Sequence, residues 1–79
     1  MRSGLKRNAC IALGNNKDKS SVSELSKCLV EELKLVRGHA AWALGRLGGS
    51  EARGSLKAVK RTEIDPMVLE EINAALDVV

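Results

Sequence analysis

The chain of 79 residues has no phenylalanine, no tyrosine, one tryptophan, one histidine, one proline and two cysteines. With almost no aromatic ring to fill a core, the interior must be built from Leu, Val, Ile and Ala. Cys10 and Cys28 stand far apart in sequence without a second pair, which excludes the clustered spacing of an iron-sulfur or structural zinc site. Both fall on a helical core pattern, as buried free thiols of a cytosolic protein do. No apolar run approaches the roughly 20 residues that span a bilayer, and the N-terminus lacks a signal-peptide core. A cytoplasmic protein without a membrane partner is expected. His39 is the single histidine, no serine sits at a strand-to-helix elbow, and the glycines read as helix terminators without phosphate-cradling spacing. No catalytic residue is assigned.

Positive charge is missing from the last part of the chain. Residues 1 to 62 hold all 13 Lys and Arg and carry a net +8, whereas residues 63 to 79 hold no base and carry −5. A strongly basic body points to a polyanionic partner.

What the sequence does contain is a repeat. Val36, Ala40, Ala43, Leu44 and Leu47 recur at helical spacing on one face, and Gly48-Gly49 supplies the backbone freedom that ends the helix. Ala12-Leu13-Gly14 matches Ala43-Leu44-Gly45 at an offset of 31, which also brings Leu5 onto Val36, Lys6 onto Arg37, Ala9 onto Ala40 and Ile11 onto Trp42. Leu25, Cys28 and Leu33 fall on Leu56, Val59 and Ile64 at the same step. One extra residue near Pro66 lets Val68 and Ala75-Leu76 answer to Val36 and Ala43-Leu44. Two helices per unit at this period imply an α-solenoid. The expected fold is all-α, an α-α superhelix of about two and a half helix pairs. Its single domain covers residues 1–79, with repeat one at about 5–33, repeat two at about 35–64 and a half repeat at about 66–78. So few units leave end faces uncovered, so a piece of a longer chain is expected.

The first helix is expected over Leu5 to Leu13, with Leu5, Ala9, Ala12 and Leu13 inward and Gly14 ending it. Asn15 to Ser20 reads as the turn, and Ser21 with Glu24 as a capping box for a second helix carrying Val22, Leu25, Cys28 and Leu29 inward. Leu33 to Leu35 form the link to the third helix. Ser50 is the expected cap of a fourth, about Glu51 to Arg61, with Ala52, Leu56 and Val59 inward. Gly54 inside it costs roughly 1 kcal/mol relative to Ala, which suggests a late start or a backbone passing close by. Asp65-Pro66 signals the start of a fifth helix that runs to about Asp77 and buries Val68, Leu69, Ile72, Ala75 and Leu76.

Two surfaces are candidate sites. His39, Trp42 and Arg46 stand at i, i+3 and i+7 and line up on one side of the third helix; in the first unit the row is Asn8, Ile11 and Asn15. A basic and aromatic row can hold phosphates while the ring stacks. Alternatively, Ile11 and Trp42 pack against a neighbouring domain or partner. The second surface is Arg53, Lys57, Lys60 and Arg61 on the fourth helix, which reads as an RNA-binding face or as a solvated one. Lys6, Arg7 and Arg37 lie in first helical turns, where the dipole does not favour cations. They need either a phosphate or a carboxylate on the preceding turn or unit, for which Glu32 and Asp65 are the candidates.

The repeat resembles the short HEAT-like repeats first associated with phycobilisome lyases, whose units begin with Val-Arg and run into Ala-Ala and Ala-Leu-Gly. More narrowly, the strings from Lys6 to Asn15 and from Arg37 to Arg46, with Glu70-Glu71-Ile72 and Ala75-Leu76, are similar to the C-terminal HEAT-like region of epoxyqueuosine reductases. That resemblance covers nearly the whole chain. It implies a parent enzyme that reduces epoxyqueuosine to queuosine in the tRNA anticodon loop with cobalamin and iron-sulfur clusters held in an N-terminal catalytic part; no cofactor is expected in this chain. The implied partners are the tRNA anticodon arm and that catalytic domain. Lys6, Arg7, Arg37, His39 and Arg46 then fall to RNA binding through family strings, and Arg53, Lys57, Lys60 and Arg61 through charge alone. The other expectation is a protein-interaction scaffold without an RNA role.

Overall fold

The computed structural model describes residues 3–16 and 19–78, with side chains from Asn8 onward. Among them are five α-helices and no strand: α1 (Ser3–Asn16), α2 (Val22–Cys28), α3 (Lys34–Leu47), α4 (Ser50–Lys60) and α5 (Pro66–Val78), with a 3-10 turn at Lys19–Ser21. The all-α architecture is as the repeat predicts.

Helix α3 packs against each of the other four. It lies between α1 and α5 in one layer, and α2 and α4 touch each other in a second layer behind it. Ala40, Ala41, Ala43 and Leu44 of α3 have no exposed surface, because small side chains on several sides of the helix let four neighbours reach it. Leu25, Leu56 and Ile72 are the large side chains that close the core from α2, α4 and α5. The second layer is also joined by a 2.8 Å hydrogen bond from Ser26 Oγ to Ser55 Oγ.

The ends of α3 and the start of α5 follow the local chemistry. Gly48 and Gly49 adopt φ of 70° and 93°, a region that L side chains avoid, and the chain turns there into α4. The Asp65 carboxylate accepts hydrogen bonds from the Met67 and Val68 backbone N–H groups at 2.9 and 3.1 Å, capping α5 in front of Pro66.

Other local expectations are corrected. Gly14 does not end α1, which continues to Asn16. It is a point of close approach instead: a Cβ at Gly14 would lie 2.7 Å from Trp42 Cζ3 and 3.1 Å from the Ala43 Cα. Gly45, inside α3 as expected of a helix that ends at Gly48-Gly49, is a second such point, against Ala75. Among the described side chains of α1 the buried positions are Cys10 and Gly14, while Ala12 is exposed and Ala9 and Leu13 are half-buried; the helix is turned so that its glycine meets α3 and its thiol, rather than its alanines, enters the core beside Cys28 of α2. Leu5 lies outside the described side chains.

Ser21 makes no capping hydrogen bond. It closes the 3-10 turn with a helical backbone (φ −85°, ψ −4°), so its hydroxyl is not presented from the extended conformation that a cap requires. Ser50 is the first residue of α4, behind Gly49, and no side chain caps that helix. Gly54 sits in the middle of α4, exposed, with open space where a Cβ would stand, so neither a late start nor a close backbone explains it. Leu69, Leu76 and Val59 are half-buried, at the margins of the core.

Candidate functional site

The ordering of α1, α3 and α5 in one layer brings equivalent residues of successive units side by side. Ile11 and Asn15 of α1, His39 and Trp42 of α3, and Glu70 and Glu71 of α5 line one groove of about 610 Å³. Its lip is apolar: Leu35 and Met67, which occupy matching positions at the starts of α3 and α5, are 56 % and 70 % exposed. Lys34 and Asp65 close one end as an ion pair at 3.8 Å. Asp65 is thus shared between the cap of α5 and Lys34, and it does not meet Arg37.

His39 lies half-buried in this groove. Its Nδ1 is 2.7 Å from the Leu35 carbonyl oxygen. A carbonyl can only accept, so Nδ1 carries the proton and Nε2 is left for another partner. Trp42 is half-buried, packed on the core and against the backbone of Gly14. The Arg46 guanidinium lies 5.3 Å from the Trp42 ring centroid, and its Nε points at the Gly14 carbonyl at 3.4 Å. A cation over an aromatic face contributes roughly 0.5–1 kcal/mol at an exposed site. Arg46 therefore ties α3 to the last turn of α1 while remaining exposed. The predicted row of His39, Trp42 and Arg46 and its counterpart Ile11 are brought together, but on a face whose third copy is acidic, since Glu71 occupies the position of His39.

Arg37 departs from its expected place on an RNA surface. Its Nε donates to Glu63 Oε1 at 2.7 Å and its Nη2 to Glu63 Oε2 at 3.2 Å, and its Nη1 donates to the carbonyls of Glu31 and Glu32 at 2.8 Å each. The two side chains are 18 % and 4 % exposed. The partner acid is neither the Glu32 nor the Asp65 carboxylate but Glu63, in the loop before α5. Glu63 Oε2 also accepts from the Ile64 and Asp65 backbone N–H groups at 3.1 and 3.0 Å. Burial alone would raise the Glu63 carboxyl; the Arg37 fork and the two N–H groups outweigh it and hold the carboxyl below the usual range. Arg37 is a clamp joining the loops before α3 and α5. The place of Arg37 in a first helical turn signalled the need for a carboxylate or phosphate, but nothing in the sequence singled out Glu63 as that acid.

Arg53, Lys57, Lys60 and Arg61 are all exposed, on and just past α4, in the second layer. They fall within about 100° of arc around the helix, and none has an ion pair with a described residue. The side chains of Lys6 and Arg7 lie outside the described residues. Cys10 is buried in α1 against Cys28 of α2; burial chiefly, with the neighbouring thiol adding to it, pushes the Cys10 thiol up to about 12. Two thiols in this setting do not provide the four ligands of an iron-sulfur cluster. Among the described residues no group of three His, Cys, Asp or Glu is placed to hold a metal ion, and no helix is long and apolar enough to cross a membrane.

The paired helices stacked through α3, with glycine-on-alanine contacts from one unit to the next, define an α-helical repeat protein. The family model for HEAT repeats matches residues 2–77, and the chain belongs to that family. It is similar to epoxyqueuosine reductase of Listeria monocytogenes, at 39 % identity over 71 residues, which cover 89 % of this chain and 19 % of the relative. It is also similar to epoxyqueuosine reductase of Bacillus anthracis, at 35 % identity over 74 residues, 92 % of this chain and 20 % of the relative. An uncharacterized protein in the gldA 3' region of Geobacillus stearothermophilus is 38 % identical over 69 residues, 86 % of this chain and 32 % of that protein. The chain thus spans about a fifth of the length of the reductases it matches. No solved structure matches it at a significant level.

Proposed function

We propose that this chain is the non-catalytic accessory module of a cytoplasmic epoxyqueuosine reductase, and that it holds the anticodon arm of tRNA for a separate catalytic part. The single observation that carries the reading is the cationic arc of Arg53, Lys57, Lys60 and Arg61, exposed on a rigid helix and left without ion pairs among the described residues. The reductases that share this repeat support the choice of polyanion. Arg37 is left out of the surface because four of its five guanidinium N–H groups are engaged by the Glu63 carboxylate and the Glu31 and Glu32 carbonyls. His39 and Arg46 belong to the other layer, so the RNA face consists of the α4 residues.

Such a face binds by displacing counterions from phosphates and follows the shape of the backbone, with little reading of bases. Four contacts predict a log–log salt slope of about −3 to −4. Titration of the 79-residue chain with a tRNA anticodon stem-loop at several salt concentrations tests this. Binding at low salt that weakens with that slope is expected; binding that is undetectable at low salt, or indifferent to salt, contradicts it.

A further inference from the structure

The groove between α1, α3 and α5 is a second binding surface, and its chemistry is opposite to that of α4. Its floor is the half-buried Ile11 and Trp42, its lip the exposed Leu35 and Met67, and one wall carries the exposed carboxylates of Glu70 and Glu71. Neither glutamate has an ion pair with a described residue. Of the bases that line the groove, Lys34 is paired with Asp65 and His39 is bonded through Nδ1 to the Leu35 carbonyl. In a chain whose first 62 residues carry +8, this wall is locally acidic, with Glu70 and Glu71 on a helix from the segment 63 to 79 that holds no base. Phosphate is disfavoured there by like charge, whereas a cation is drawn in.

We propose that this groove docks a basic amphipathic protein segment: one or two large apolar side chains seated between Leu35, Met67 and Trp42, flanked by lysine or arginine reaching Glu70 and Glu71. Leu35 and Met67 stand at equivalent positions of adjacent helices, which places them about one helix spacing apart, ~8–10 Å. That separation is nearest to that of apolar residues two turns apart, i and i+7 at about 10.5 Å, on a helix laid across the groove, the arrangement by which amphipathic helices occupy apolar clefts. His39 Nε2 supplies a polar contact at the margin. The partner and the RNA would occupy different layers of the module, so both can be held together.

Trp42 is the sole aromatic residue, so its fluorescence reports the groove directly. The probe is a synthetic amphipathic peptide of leucine and lysine, about 14 residues or ~21 Å as a helix. It is compared with a version in which glutamate replaces every lysine and one in which alanine replaces every leucine. Saturable binding of the leucine-lysine peptide with a shift of Trp42 emission to shorter wavelength is expected, and both altered peptides should bind at least tenfold more weakly. Glu70→Lys with Glu71→Lys should weaken it at least tenfold, as should Leu35→Ser with Met67→Ser, whereas Arg53→Glu with Lys57→Glu should not. Circular dichroism confirms that each variant is folded. Equal binding of the glutamate peptide, equal affinity for the Glu70 and Glu71 variant, or an unmoved Trp42 emission would each overturn the proposal. None of these results depends on whether α4 binds RNA.

Discussion

Gly45 of α3 and Ala75 of α5 meet at their backbones: a Cβ on Gly45 would stand 2.8 Å from the Ala75 Cβ and 3.0 Å from its Cα. One unit earlier, Gly14 of α1 meets Ala43 of α3 in the same way, at 3.1 Å to both Cα and Cβ. The Ala-Leu-Gly string is therefore a helix-to-helix contact, in which the glycine of one unit receives the alanine of the next.

Gly45→Ala is predicted to destabilise the chain. The substitution adds helix propensity of up to about 1 kcal/mol, but forcing a methyl against another backbone costs about 1–3 kcal/mol, and the second effect prevails. Gly54→Ala, where the same methyl meets nothing within 4 Å, should stabilise by about 0.5–1 kcal/mol. Urea midpoints of the two variants should move in opposite directions; movement in the same direction would show that the contact is not what distinguishes these glycines.

The Arg37–Glu63 pair predicts a specific acid sensitivity. Because the folded Glu63 carboxyl lies below its ordinary value of 4.5, the folded chain binds fewer protons there than the unfolded chain. Its contribution is complete above that value and is lost as pH falls through the lowered folded pKa. Glu63→Gln should thus lower stability near neutral pH and reduce its decline on acidification, while Arg37→Ala should cost about 3 kcal/mol by leaving a nearly buried carboxylate unpaired. Unfolding curves between neutral and acid pH check both; a Glu63→Gln variant with the same acid profile as the parent would refute the assignment.

The thiols provide a test of α1. Cys10 is 1 % exposed with its thiol pushed up to about 12, so at mildly alkaline pH it is neither accessible nor ionised. A thiol reagent should label Cys28 first and reach Cys10 only on unfolding, with both labelled in denaturant. Equal rates for the two in the native chain would mean that α1 does not pack as described.

How much of this was legible in the sequence depends on whether a feature is local or pairwise. The helices, the Gly48-Gly49 stop and the Asp65-Pro66 start are local, and each was readable from residue types alone. The 31-residue offset also aligned Ile11 with Trp42, which do share one groove. Gly14 misled because a glycine that ends a helix and one that admits a neighbour look alike until the neighbour is known. Ser21 and Ser50 had suitable side chains but not the backbone conformation that uses them. Arg37 found Glu63 only through the packing of two loops. That Glu70 and Glu71 face the groove, beside the same row that carries His39 and Trp42, follows from the rotation of α5 against α3 and had no sequence signal beyond the repeat register.

Charge reversal at Arg53 and Lys57 decides whether the cationic arc on α4 holds RNA. Both side chains are exposed and outside the groove, so Arg53→Glu with Lys57→Glu should leave helix content and urea midpoint unchanged. Affinity for the anticodon stem-loop should fall at least tenfold and the salt slope should become shallower by about 2. Unchanged affinity with the parent's salt slope would contradict the account.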